Sequence, residues 1–338
     1  MTNRERVIAA IKHEKKDYTP HSVIFTGQMN DKMFNYTGNP DYLGTINNHI
    51  VKAALRKRGV PIPGKPERFL DDFGIEWDRS GADKDIGVVA QYPIDSAEDL
   101  ANYTPPPVDE DYIRAQCEKC MREKGDNFAI ASIGFTVFER GWSLCGMEGL
   151  LCFMLTDPGA VGALFDKLAA RNIEMAKIAM EYDFDGVLFG DDWGQQKGLI
   201  MGAPLWRELL KPRVASMYAE VKKAGKFVAQ HSCGDNSEIM DDLIDIGLDI
   251  YQTFQPEIYD MQAFKDKYKG RLTVWGGIST QAQLPFLTAD EIYHVTKNAI
   301  SVLGEGGGYI AAPTHEVSCD TPPENIEAMV RAFREQTS

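Results

Sequence analysis

Phe227-Val228-Ala229-Gln230-His231-Ser232-Cys233-Gly234 opens as a short, nearly all-apolar run and ends in an imidazole and a thiol two residues apart. Segments of helical period flank it, over 204–224 before and 238–246 after. The same alternation extends in both directions from Asn127 onward. Apolar runs recur at 128–133, 186–190, 249–254, 272–275 and 308–312, and helical period returns over 157–182 and 288–303. Short strands without polar alternation, each followed by an amphipathic helix, describe a parallel sheet covered by helices. Six such units, an early strand at Ser22-Val23-Ile24-Phe25 and one more strand that the pattern does not locate would close a (β/α)8 TIM barrel. An open doubly wound sheet is the rival, and it needs a glycine-rich turn that opens a helix after the first strand. The glycines at 304–308 precede a strand instead.

Residues 1–110 are the less regular portion, read as an N-terminal helical extension with helices expected over 3–13 and 43–58. Proline-rich stretches at 60–66 and 103–107 punctuate it as loops. No linker is long or polar enough to divide the chain, so residues 1–338 are read as one domain. A net charge of −14 argues against nucleic acid or an anionic membrane as partner, because both call for a basic face. The N-terminus is charged and helix-like, and no apolar stretch approaches the length of a membrane span. With no secretory signal, the cytoplasm is the expected compartment, and the six cysteines are expected as free or metal-bound thiols.

Barrel chemistry gathers on the loops that follow the strands. The reactive side chains of this chain stand there: Asp191, Asp192 and Trp193 after one strand, His231 and Cys233 after the next, His315 and Cys319 after the last. His231 and Cys233 point the same way from an extended strand end, and an imidazole with a thiolate suits zinc. An isolated pair of this kind is more often a packed cysteine beside a structural histidine. Cys319, on the final loop, is the expected third ligand, with His315 as its alternative or as a proton donor. Three protein ligands would leave one position open, as in a catalytic zinc site. Asp191 and Asp192 are adjacent, so one faces the pocket and the other serves the loop; Glu139 is expected to join them as an acid. Trp193, Phe254, Gln255 and Trp275, with Trp142, are the candidate walls for substrate, each equally plausible as core packing. Cys117-Glu118-Lys119-Cys120 has no second pair to complete a structural metal site and reads as helix cysteines.

Several segments taken together resemble the uroporphyrinogen decarboxylase superfamily and, within it, the cobalamin-linked methyltransferases. They are Asp71-Asp72-Phe73-Gly74-Ile75-Glu76-Trp77, Phe138-Glu139-Arg140-Gly141-Trp142, Gly190-Asp191-Asp192-Trp193-Gly194-Gln195-Gln196, Trp206-Arg207-Glu208, His231-Ser232-Cys233-Gly234, Gly276-Gly277-Ile278, and Ala312-Pro313-Thr314-His315 running into Asp320-Thr321-Pro322-Pro323-Glu324-Asn325. The resemblance implies a (β/α)8 barrel, a zinc ion held by His231, Cys233 and Cys319, and a separate corrinoid protein that gives or takes the methyl group. True decarboxylases grip porphyrinogen carboxylates with an arginine-rich N-terminal segment. The corresponding stretch here, His21-Ser22-Val23-Ile24-Phe25-Thr26-Gly27-Gln28-Met29-Asn30, has no arginine, which points away from decarboxylation. Relatives that methylate thiols carry the last cysteine where His315 stands here, and Gly190-Asp191-Asp192-Trp193 looks more like relatives that demethylate ethers. The expected activity is therefore O-demethylation of a small methyl donor onto the corrinoid, with a methyl-corrinoid:thiol methyltransferase or a metal-free porphyrinogen decarboxylase as alternatives.

Overall fold

Strands that are buried on both faces need neighbours on both edges, and the apolar runs find them in one another. The computed structural model describes residues 1–14, 17–57, 59–81 and 87–336. Seven parallel strands lie side by side in chain order as one curled sheet. They are β1 (Ile50–Ala54), β2 (Phe128–Ile133), β3 (Gly186–Gly190), β4 (Phe227–His231), β5 (Ile250–Phe254), β6 (Thr273–Ile278) and β7 (Tyr309–Pro313). The register sets His231 beside Gly190 on one side and Gln252 on the other, so the ends of β3, β4 and β5 share one rim.

The early portion departs from expectation in four places. The segment expected as a helix over 43–58 forms only a single 3-10 turn, Leu43–Ile46, before β1; Arg58 lies outside the described residues. β1 is the strand that the apolar pattern left unlocated. Its β-branched Ile50 and Val51 favour a pleated surface, and pairing of Ile50–Ala54 with Phe128–Ser132 outweighs the local helical period. The stretch expected as an early strand does not become a regular one. It bridges β7 through His21 and Ala311, and the His21 carbonyl accepts from the His49 N–H just before β1. The sheet thus has seven strands rather than eight, with an extended segment touching both of its edges.

The first helix is a plug rather than an extension. α1 (Asn3–Ile11) starts in a capping box between Thr2 and Glu5 and buries Val7 and Ile11 against Phe128, Ile130, Leu188, Ala229 and Ile250. Those are inward-facing strand positions. Backbone bonds from Arg4 to Asp126 and from Gly308 to Ala10 hold the helix beneath the starts of β2 and β7. With the N-terminal end closed in this way, access lies at the opposite rim. The proline-rich 60–66 stretch, expected as a loop, contributes to a four-stranded antiparallel sheet instead. Among the described residues no single helix is long and apolar enough to cross a membrane.

Two buried histidines tie this seam to pH. The His21 ring lies edge-on to His49 at 4.4 Å and stacks on Phe333 at 4.8 Å. Burial pushes the His21 pKa down to about 3 and that of His49 to about 4. The folded state keeps both rings neutral, whereas the unfolded chain takes up protons below about 6.5. Their contribution is therefore complete above about pH 6.5 and is lost progressively as pH falls toward the folded-state values of about 4 for His49 and about 3 for His21. The unfolding free energy, read from urea titrations, is expected to drop between pH 7 and pH 5 by at most about 1.4 kcal/mol per pH unit per histidine, with a lower midpoint. A midpoint that stays constant over that interval contradicts this role.

Candidate active site

Asp191 and Asp192 leave β3 in opposite directions. Asp191 is fully buried, and its carboxylate accepts from the Phe138 N–H at 2.9 Å, the Glu139 N–H at 2.8 Å and the Trp193 indole N–H at 2.9 Å. It thereby caps the N-terminus of α3 (Phe138–Cys145), where backbone donors lack helical partners. Burial pushes its pKa up to about 6, while the three N–H donors pull the other way and leave it ionised at neutral pH. Asp192 is the member of the pair that turns to the mouth. Its Oδ1 accepts from the Cys233 N–H at 2.8 Å and lies 3.6 Å from His231 Nε2.

His231, Cys233 and Asp192 converge, with one donor atom from each lying within 4.8 Å of the others. Cys233 Sγ stands 3.6 Å from His231 Nε2. Bonds of about 2.3 Å to sulfur and about 2.0 Å to nitrogen at a tetrahedral angle put the two donors roughly 3.5 Å apart, so the spacing suits zinc. His231 Nδ1 is paired with Gln252 Oε1, which accepts its proton and turns the Nε2 lone pair to the mouth. Burial, then the Asp192 and Glu139 charges, push the Cys233 thiol up from its usual range. A soft cation at this point reverses that tendency by favouring the thiolate.

Cys319 does not join the group. It is exposed, and its thiol donates to Gln28 Oε1 at 3.2 Å. The final loop is drawn toward α2 (Gly27–Thr37), where Lys32 Nζ donates to the Cys319 and Thr321 carbonyls, and a bridge joins Phe25 to Val317. Asp192 stands beside His231 and Cys233 instead. His315, the other expected ligand, is exposed at the rim, its ring centroid 5.8 Å from that of His231.

Two glycines lock the loops that carry this group. The turn after β3 crosses the turn after β4 at Gly194 and Gly234. A Cβ on Gly234, whose φ is +82°, would stand 2.2 Å from the Gly194 carbonyl carbon, and one on Gly194 would stand 2.6 Å from that of Gly234. Gln255 Oε1 accepts from the Gly234 N–H at 2.7 Å, so this side chain fixes the turn rather than facing substrate. Gly234→Ala is expected to force the loops apart, to cost roughly 1–3 kcal/mol of stability and to weaken zinc binding. A calorimetric titration that finds wild-type zinc affinity in this variant contradicts the lock.

The mouth holds a cavity of about 180 Å³ lined by His231, Gln252, His315, Trp275, Lys52 and Glu316 among others. Trp275 is the expected wall that reaches it. Trp193 and Phe254 do not: Trp193 packs edge-on to Trp206 at 5.4 Å, and Phe254 packs between Tyr259 and Phe264. Both are core residues that brace the loops from behind. Trp142 likewise packs on Phe135. Glu139 is only partly exposed, and burial, then the charges of Asp192 and Asp191, push it well above the ordinary glutamate value. Lys52 and Glu316 escaped the sequence reading. Lys52 sits on β1, the strand the pattern did not locate, and the enclosing walls lower its pKa against the opposing charge of Glu316.

A curled parallel sheet with its reactive side chains at one rim defines a barrel-type enzyme class, and the comparisons narrow it. The family model described as uroporphyrinogen decarboxylase (URO-D) matches residues 70–336, and the chain belongs to that family. A methyltransferase from Methanosarcina mazei superposes with a TM-score of 0.71 over 99% of both chains at 20% identity. A B12-independent methionine synthase from Shewanella sp. W3-18-1 gives a TM-score of 0.45 at 12% identity over 94% of each chain. A glycoside hydrolase family 5 enzyme from Prevotella bryantii B14 gives 0.45 at 12% identity over 86% of this chain and 97% of that one. At 20% identity the first of these likenesses is of fold alone, and the other two, at 0.45, carry no argument. Among curated proteins none matches.

Proposed function

We propose that this chain is a zinc-dependent methyltransferase that moves a methyl group between a small substrate, a methyl ether, and the cobalt of a separate corrinoid protein. The observation that carries the reading is the convergence of Asp192, His231 and Cys233 at the open rim. A set of one sulfur, one nitrogen and one oxygen suits zinc and leaves a further coordination position for substrate. When bound, zinc supplies a Lewis acid that takes up negative charge on the departing oxygen.

The chain's own residues supply the remainder. Gln252 fixes the His231 tautomer, and Asp191 holds the start of α3 so that Glu139 faces the Asp192 side of the mouth. Glu139, kept toward its protonated form, delivers the proton that the leaving oxygen needs. Trp275 offers an apolar wall to an aromatic or alkyl group. The cavity also speaks for a small substrate. Its volume of about 180 Å³ lies below the roughly 300–1,000 Å³ of sites for drug-sized ligands, and Lys52 is the one cation among its lining residues other than the two histidines. A tetrapyrrole with many carboxylates finds neither room nor counter-charge there. The metal, the corrinoid partner and a cytoplasmic setting all belong to this proposal.

The test is an assay of the purified, zinc-loaded protein with a reduced corrinoid protein and a panel of methyl ethers, methylamines and methanol. The expected result is cobalt methylation from an ether that stops when zinc is chelated. Consumption of uroporphyrinogen by the metal-free protein would overturn the proposal.

A further inference from the structure

Lys52 is the middle residue of β1, and strand alternation turns it to the same side as Ile50, which packs on the inner face of the curled sheet. There it lines the mouth cavity. The two buried lysines among the described residues are held by protein oxygens. Lys124 Nζ donates to the Asp183 carbonyl at 2.7 Å, and Lys265 Nζ to the carbonyls of Leu303 and Gly307 at 2.7 and 2.6 Å. Lys52 has no such acceptor. Among the described residues it makes no hydrogen bond and no ion pair, and Glu316 reaches it only as a charge at longer range. Two hydroxyls line the cavity on either side of it. Ser132 stands on β2, the neighbour of β1, and Ser22 on the extended segment that touches both β7 and the start of β1. Neither side chain bonds to a protein group among the described residues. The same cavity is lined by His231 and Gln252, and β2 and β3 lie between β1 and β4 in the sheet order.

While the cavity is open to solvent, water can serve these groups. A substrate that fills its roughly 180 Å³ expels that water, and the ammonium then loses its hydration. Much of the remaining lining is apolar, from Ile24, Leu188, Trp275, Ala312 and Pro313, and offers no replacement. A charge left unpaired in such a space is strongly unfavourable. A neutral methyl ether therefore strands Lys52. A ligand that brings its own anionic oxygen replaces the lost water and pairs with the ammonium. A carboxylate has two such oxygens, with lone pairs enough for an ammonium and two hydroxyls together. Glu316 faces the same cavity with the opposite charge, so it competes with a bound anion for Lys52.

We propose that the substrate is a small methoxy acid, bound with its carboxylate on Lys52 and the hydroxyls of Ser22 and Ser132 and with its ether end toward His231. This assignment rests on the reading of the mouth as the substrate site. It makes Lys52 a specificity-determining residue, one that separates an acid from a neutral ether of the same shape.

The test is a ligand-observed NMR titration of the full chain with methoxyacetate and with para-methoxybenzoate, each beside its uncharged amide, before and after zinc is removed by chelation. The wild type is expected to bind at least one acid roughly 10–100-fold more tightly than its amide, with or without zinc. Lys52→Met, close in volume to the lysine it replaces, is expected to erase that preference. Glu316→Gln is expected to tighten the acid severalfold and to leave the amide unchanged, so the assignment stays open to refutation even where the Lys52 variant fails to fold. No acid binding by the wild type, equal binding of acid and amide, or a preference that survives in Lys52→Met would overturn it. So would a preference that disappears with zinc, because the carboxylate would then sit on the metal. None of these readouts needs a corrinoid protein or a transferred methyl group, so failure here and failure of the proposed reaction are told apart.

Discussion

On the proposed zinc-dependent reading, His231→Ala and Cys233→Ser are each expected to leave the protein folded but without zinc, and to lower methyl transfer by roughly 10²–10³-fold or more. The expectation follows from the ligand count. Three protein donors meet at the mouth, and removing one leaves two; no further His, Cys, Asp or Glu among the described residues belongs to that group. Gln252→Ala is graded below this. It removes the acceptor that sets the His231 tautomer, and zinc affinity is expected to weaken about 10–100-fold. Cys319→Ser, by contrast, is expected to keep both metal and activity, because its thiol faces Gln28. Metal analysis after dialysis, together with initial rates, reads all four variants. A Cys319→Ser protein stripped of zinc would instead add Cys319 to the ligand set.

Asp191→Ala is expected to lose stability on the order of 3–9 kcal/mol and to take the active site with it. Three buried N–H groups, from Phe138, Glu139 and the Trp193 indole, lose their acceptor at about 1–3 kcal/mol apiece. The start of α3 and the turn after β3 then separate, so the effect on activity passes through the frame rather than through proton transfer. Asp191→Asn keeps one acceptor oxygen and is expected to recover part of the loss. Chemical denaturation measures both. An Asp191→Ala protein with wild-type stability and a damaged rate alone would instead assign this residue to the chemistry.

How far these features can be read from the chain depends on the range of the interaction behind each. Gly186–Gly190 is buried throughout and residues 227–229 run apolar up to the polar strand end, so both strands carry a continuous apolar signal. β1 carries a broken signal because Lys52, in its middle, opens into the mouth cavity, and the strand passes for part of a helix. The His231–Cys233 pair is local, and strand geometry alone aims both side chains at the mouth. The choice between Asp191 and Asp192 is not local. It rests on the start of α3, more than fifty residues earlier, which claims one carboxylate and leaves the other free.

Cys319 shows the limit of reasoning from position on a rim. Following the last strand puts a residue at the correct end of the barrel, but the direction of its loop depends on contacts with α2 made almost three hundred residues away. Trp193 and Phe254 make the same point for aromatics. Both follow strands near the mouth, yet the rings of Trp206, Tyr259 and Phe264 draw them into the core. Gln255 is polar and nearby, but the bare N–H of Gly234 claims its carbonyl.

The decisive measurement is X-ray absorption at the zinc edge on the purified, zinc-replete protein. One sulfur near 2.3 Å together with nitrogen and oxygen donors near 2.0–2.1 Å is the expected first shell, from Cys233, His231 and Asp192. Two sulfurs in that shell, or a protein that binds no zinc at all, would contradict it.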